Sequence, residues 1–256
     1  MLAVIGGTGL SRLTDFTDQS QLPVKTPFDD SPVIVNLVRC EGGDFLFLPR
    51  HGEGHKVPPH KINYRANLKA LEHLGASRII AVNAVGGIGP GMGPGAFCVP
   101  DQIIDYSWGR EHTFFSGGAA GVNHVDFTEP YDESARALLL KAAAQANQSE
   151  PRRRTVLDGG VYGCTQGPRL ETAAEIRRLR QDGCTMVGMT GMPEAGLARE
   201  LDLPYACIAL SVNWAPGLDD APLDMLVMQG VVEDGVGFMG RLIRECARLA
   251  GEADRA

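Results

Sequence analysis

No stretch of the 256 residues approaches the roughly 20 consecutive apolar residues that a membrane-spanning helix needs, so no membrane association is expected. The N-terminal MLAVIGGTGL has neither a basic segment nor a cleavage site, so no secretory leader is expected. Positive charge is in deficit: Lys and Arg number 24 against 31 Asp and Glu, a formal charge of −7, which argues against a general nucleic-acid-binding face. The six cysteines (Cys40, Cys98, Cys164, Cys184, Cys207 and Cys246) have no CxxC spacing and no histidine at ligand spacing. This argues against a disulfide framework and a zinc site, and fits free thiols in a reducing cytoplasm. A Gly-Lys-Ser/Thr phosphate loop is also lacking.

The remaining composition, 44% hydrophobic and 21% charged, is that of a soluble globular domain. Short β-branched runs alternate with longer helical patterns. Strands are predicted at 2–5, 33–38, 44–48, 78–82, 102–106, 155–162, 185–189 and 205–212. Helices are predicted at 63–74, 131–148, 171–181, 192–201 and from about 223 to 249. The alternation predicts an α/β fold: a single domain over residues 1–256 with a central mixed sheet flanked by helices. Ligands of such folds collect beyond the carboxyl ends of the strands. The Arg152–Arg154 run reads as a solvated turn.

Three groups of residues stand at predicted strand ends. IGGTGL (5–10) follows the first strand, where glycines let backbone N–H groups converge on an anion and the Thr8 hydroxyl adds a donor. A dinucleotide fingerprint would need glycine where Arg12 stands, which argues against a nicotinamide-dependent reductase. LPRHGEGH (48–55) sets a fixed cation, Arg50, and a neutral-pH donor, His51, at the next strand end; arginine binds phosphate through its planar fork. GCTQGPRLET (163–172), VGMTGMPE (187–194) and SVN (211–213) complete the set.

IGGTGL, LPRHGEGH, INYRAN, TEPY, GPRLET and MTGMPE, in this order, resemble the trimeric nucleoside phosphorylases, in particular the methylthioadenosine phosphorylase branch, from about Val4 to Asn213. The resemblance implies phosphorolysis, with inorganic phosphate as co-substrate and no metal or organic cofactor. It places Thr8, Arg50, His51 and Thr190 at phosphate, together with Asn83, where adenosine-type members usually carry threonine. Met189 and His55 fall at the ribose, Leu170 replaces an aromatic that packs on the base, and His124 falls where a neighbouring subunit closes the 5′ end, which implies a homotrimer.

Two positions bear on the base. Adenosine-type relatives carry Asp where this chain has Asn213. The exocyclic amine of adenine donates, which suits a carboxylate; the O6 of hypoxanthine accepts, which suits a carboxamide offering one N–H to O6 and one carbonyl to a protonated N7. Glu171 adds an acceptor for the N1–H that only a 6-oxopurine carries. Asn213 and Glu171 are therefore the candidate catalytic and specificity residues. Members acting on ordinary nucleosides resemble one another in a histidine about 14 residues after the base-binding Asn; here Leu226 and Val227 lie near that place and predict an apolar wall for a 5′-methylthio group. The expected substrate is S-methyl-5′-thioinosine. The alternatives are a general inosine and guanosine phosphorylase, a methylthioadenosine phosphorylase, and a non-catalytic nucleoside-binding protein, for which the phosphate residues would be idle.

Overall fold

A computed structural model describes residues 1–7, 16–118, 121–219 and 223–253. Thr8 lies outside the described residues. Among those described, eleven strands form one mixed sheet. Its backbone is the order β2 (Gln19–Thr26), β3 (Asp29–Val38), β4 (Phe45–Pro49), β1 (Leu2–Gly6), β5 (Arg78–Gly87), β10 (Met186–Gly188), β9 (Val161–Cys164) and β7 (Gln102–Asp105). The long β5 also carries β11 (Tyr205–Trp214), which continues through β6 (Phe97–Val99) to β8 (Val156–Asp158). β1, β4, β5 and β11 run parallel, so Gly6, Pro49, Gly87 and Trp214 all end toward one edge.

Strand β1 shows why the sheet is central. Leu2 and Val4 join a core shared with α2 (Glu133–Ala146) and α5 (Met225–Ala253), whereas Ala3 and Ile5 join a core shared with α1 (Tyr64–His73) and α4 (Glu194–Glu200). Burial on both faces explains why such strands read as continuous apolar runs rather than alternating ones. α3 (Ala173–Gln181) covers a third cluster around Ile176, Leu179 and Val187.

The fold is the α/β architecture expected, with informative differences. β2 has no apolar strand signal because QSQLPVKT has a single buried residue and contains Pro23; it is the outermost strand of its side of the sheet, where proline is tolerated. β6 is three residues between a glycine-rich turn and Pro100, too short for a periodic signal. The strand expected over 155–162 is two, β8 and β9, separated by Gly159 and Gly160 at φ +87° and +136°. α3 starts at Ala173 rather than Glu171 because Thr172 caps it, accepting from the Glu175 amide while the Glu175 carboxylate accepts from the Thr172 amide. That boundary leaves Glu171 in the preceding loop.

Candidate active site

A cavity of about 1000 Å³ opens at the carboxyl edge of the sheet. It is bordered by Gly7 after β1, Arg50 and His51 after β4, Asn83 to Gly86 of β5, Met189 and Thr190 after β10, Asn213 of β11, the loop residues His55, Leu170 and Glu171, and the start of α5. Ten of the sequence-derived candidates thus share one cavity: Arg50, His51, His55, Asn83, Leu170, Glu171, Met189, Thr190, Asn213 and Leu226. They come from segments far apart in the chain, gathered by the parallel β1, β4, β5 and β11 and by β10, which runs antiparallel to β5 and so brings Thr190 beside Asn83.

At one end the backbone approaches closely. A Cβ on Gly7 would stand 2.6 Å from the Val82 carbonyl oxygen and 3.1 Å from Arg50 Nη1, so only glycine fits there. Arg50 differs from expectation. Its planar fork is bound to a carboxylate: Nε and Nη2 donate to Glu194 Oε2 and Oε1, both at 2.6 Å, and Nη1 donates to the Val82 carbonyl at 3.1 Å. Both side chains of the ion pair are fully buried. Burial alone would lower the Arg50 pKa, but the Glu194 charge and hydrogen bonds outweigh it and hold the guanidinium above its ordinary range. Of the five N–H bonds of an arginine, three are engaged. Tyr205 also donates to Glu194 Oε1, at 2.8 Å.

Thr190 borders the cavity, and its Oγ1 accepts from Asn83 Nδ2 at 2.7 Å. His51 is also oriented. Its Nδ1 lies 2.8 Å from the Val57 carbonyl oxygen, which can only accept, so Nδ1 carries the proton. Burial first, and the Arg50 charge second, push its pKa down to about 4. Near neutral pH its Nε2 is therefore an acceptor, not the donor anticipated from sequence. The His55 ring lies 4.1 Å from that of His51, in a loop whose Gly52, Gly54 and His55 all take positive φ.

On β11 a β-bulge between Ser211 and Asn213 shifts the register and re-aims Asn213. Asn213 Nδ2 donates to the Trp214 carbonyl at 2.6 Å; the second amide N–H and Oδ1 remain for a ligand. Glu171 Oε1 accepts from Thr165 Oγ1 at 2.6 Å. Arg110, which the sequence did not single out, ties the two loops of the site together: Nη2 donates to the Thr165 and Gln166 carbonyls at 3.1 and 2.8 Å, and Nη1 to those of Met189 and Met192 at 2.9 and 2.5 Å. Neither role had a local signal, because the loop carbonyls that Arg110 holds and the guanidinium that Glu194 holds lie 55 or more residues away.

The apolar wall on α5 falls in a different phase from the one expected. Val227 is 62% exposed and does not border the cavity, and Leu226, 78% exposed, stands at its mouth. Met228, Val232 and Val236, spaced four residues apart on one helical face, are half-buried and form the wall. The i, i+4, i+8 spacing was available in the sequence. His124 is exposed and does not border the cavity of its own chain.

The chain belongs to the phosphorylase superfamily, whose family model matches residues 1–248. It is similar to a probable S-methyl-5′-thioinosine phosphorylase of Pseudomonas syringae pv. tomato, 50% identical over 92% of this chain and 93% of that protein. It is also similar to a 6-oxopurine nucleoside phosphorylase of Pyrococcus furiosus, 46% identical over 87% of this chain and 82% of that one. Among solved structures, a methylthioadenosine phosphorylase from an antarctic soil metagenomic library superimposes with a TM-score of 0.89 at 31% identity, covering 98% of this chain and 86% of that one. No helix among the described residues is long and apolar enough to cross a membrane.

Proposed function

We propose that the chain, working as one domain over residues 1–256, catalyses phosphorolysis of a 6-oxopurine nucleoside, S-methyl-5′-thioinosine, to hypoxanthine and 5-methylthioribose 1-phosphate in the cytoplasm. The observation that carries this reading is the joint presence of Asn213 and Glu171 in the lining of the same cavity as Gly7, Arg50 and Thr190. Supporting it are the names of the relatives, which include both S-methyl-5′-thioinosine and 6-oxopurine nucleoside phosphorylases.

In the proposed reaction, phosphate sits against Thr8, the Thr190 hydroxyl, backbone N–H groups near Gly7 and the positive charge of Arg50. His51 Nε2 accepts from a ribose hydroxyl or from the hydroxyl of hydrogen phosphate. Met189 and His55 border the ribose and Leu170 the base. A phosphate oxygen bonds to the anomeric carbon as the glycosidic bond breaks, and that bond's electron pair moves onto the purine. N7 takes up a proton from water, balanced by the one that hydrogen phosphate gives up; Asn213 Oδ1 holds that N7–H and its free N–H stabilises O6, interactions that strengthen as charge develops. Phosphate is a co-substrate, and no metal or organic cofactor enters the proposal.

At the 5′ end, Met228, Val232 and Val236 favour a methylthio group, whose burial is worth roughly 1–2 kcal/mol. Gln229 and Glu233 border the same cavity and favour a second reading, a general inosine phosphorylase in which they bond a 5′-hydroxyl. The two separate by initial rates at saturating phosphate. We expect kcat/KM for S-methyl-5′-thioinosine to exceed that for inosine at least about tenfold, one such interaction at 1.4 kcal/mol per decade; equal values would favour the second reading.

A homotrimer is part of the proposal. Thr113 and Phe114 are held on Glu200, and Thr128 and Glu129 on Gln102; between these anchors, Val122 and His124 are exposed. In a cyclic assembly one patch meets a different patch of the neighbour, which would bring His124 to the adjoining cavity. Light scattering should give three times the 27.4 kDa chain mass; a fully active monomer would contradict it.

A further inference from the structure

We infer that Thr165 is a specificity-determining positioning residue, acting on the purine through Glu171. This rests on the base-facing reading of Glu171 proposed above. Thr165 follows β9, and its backbone is held at both ends: its N–H donates to the Gly188 carbonyl at 2.8 Å and its carbonyl accepts from Arg110 Nη2 at 3.1 Å. It does not border the cavity, so any effect on a ligand passes through a neighbour. Its hydroxyl has two acceptors in range, Glu171 Oε1 at 2.6 Å and the Gly188 carbonyl oxygen at 3.3 Å. The single hydroxyl hydrogen goes to the shorter, charge-assisted bond.

Two consequences follow for Glu171. One carboxylate oxygen is occupied by Thr165, which leaves the other, on a residue that lines the cavity, as the acceptor for the N1–H of a 6-oxopurine; the bare N1 of adenine offers it no donor. Glu171 is also only half-buried, at the end of a loop, and a glutamate has three rotatable side-chain bonds; the Thr165 bond removes much of the freedom that base binding would otherwise have to freeze. The backbone beneath the pair is equally constrained. Gly167, at φ +63°, would place a Cβ 2.5 Å from Met189 Sδ, so the loop between Thr165 and Glu171 is packed directly on the ribose-side methionine.

The test uses competitive inhibition by free hypoxanthine and free adenine in the wild-type enzyme and in Thr165→Val, Thr165→Ser and Glu171→Ala. Because the hypoxanthine-to-adenine ratio is taken within one preparation, any inactive fraction cancels. Thr165→Val should lower that ratio about tenfold, the size of one hydrogen bond to a charged group, by weakening hypoxanthine alone. Thr165→Ser should restore the ratio, and the phosphate KM should stay within about twofold in both. A Thr165→Val ratio equal to wild type, with a collapsed ratio in Glu171→Ala, would overturn the role of Thr165 and leave the base reading standing. Equal weakening of both bases by Thr165→Val would likewise overturn it, assigning Thr165 to loop structure only. An unchanged ratio in Glu171→Ala would instead remove the base reading itself.

Discussion

Replacing Asn213 by Asp should lower kcat/KM on 6-oxopurine nucleosides by about 100- to 1000-fold, the loss that follows removal of one preorganised donor from a developing oxyanion. The change is isosteric, so the loss comes from hydrogen-bond sense. In the native site Nδ2 donates to the Trp214 carbonyl at 2.6 Å and keeps a second N–H for O6. A carboxylate has neither. It meets the Trp214 carbonyl as a second acceptor and must turn away, and it repels O6 where charge accumulates. An adenine amine, by contrast, gains an acceptor, so the preference for 6-oxopurine over 6-aminopurine should shrink further than the absolute rate suggests. Steady-state rates with S-methyl-5′-thioinosine and 5′-methylthioadenosine in one preparation measure both effects. An unchanged preference would mean that Asn213 does not face the base.

Glu194→Leu should cost about 3–5 kcal/mol of stability, because it leaves the fully buried Arg50 guanidinium without its carboxylate. For a chain of this size that corresponds to a fall in Tm of roughly 6–20 °C. Arg50→Met alone should destabilise comparably by stranding Glu194. The double change Arg50→Met with Glu194→Leu should recover much of the loss, since well-packed apolar residues replace a buried pair at little cost, while activity stays abolished. Calorimetry of the three variants forms the cycle. Additive losses in the double variant would show that the two residues are not energetically coupled.

The parts of the fold legible in the sequence were those with local causes. Strands such as β1 and β5 announced themselves because burial on both faces makes them continuous apolar runs, and α1 and α3 through their helical patterning. Residues of the site were legible where a motif stood at a strand end, as with Arg50, Thr190 and Asn213. What escaped was pairing over distance. That Glu194 would take the Arg50 fork across 144 positions, or that Arg110 would bind carbonyls of two separate loops, has no sequence period to reveal it. The tautomer of His51 depended on the Val57 carbonyl, which only a folded loop brings near. The wall of α5 differs for another reason: Leu226 and Val227 lie at the matching distance along the chain from Asn213, whereas a helix presents residues by angle, and Met228, Val232 and Val236 are those that turn toward the cavity.

The central claim, phosphorolysis selective for a 6-oxopurine, is tested most directly by product analysis with four nucleosides: inosine, adenosine and the 5′-methylthio form of each, with and without phosphate. The account predicts free hypoxanthine and a sugar 1-phosphate in equal amounts from the two 6-oxopurine substrates, fastest from S-methyl-5′-thioinosine, and no base release when phosphate is omitted. Faster release of adenine than of hypoxanthine, or hypoxanthine release that does not require phosphate or arsenate, would contradict it.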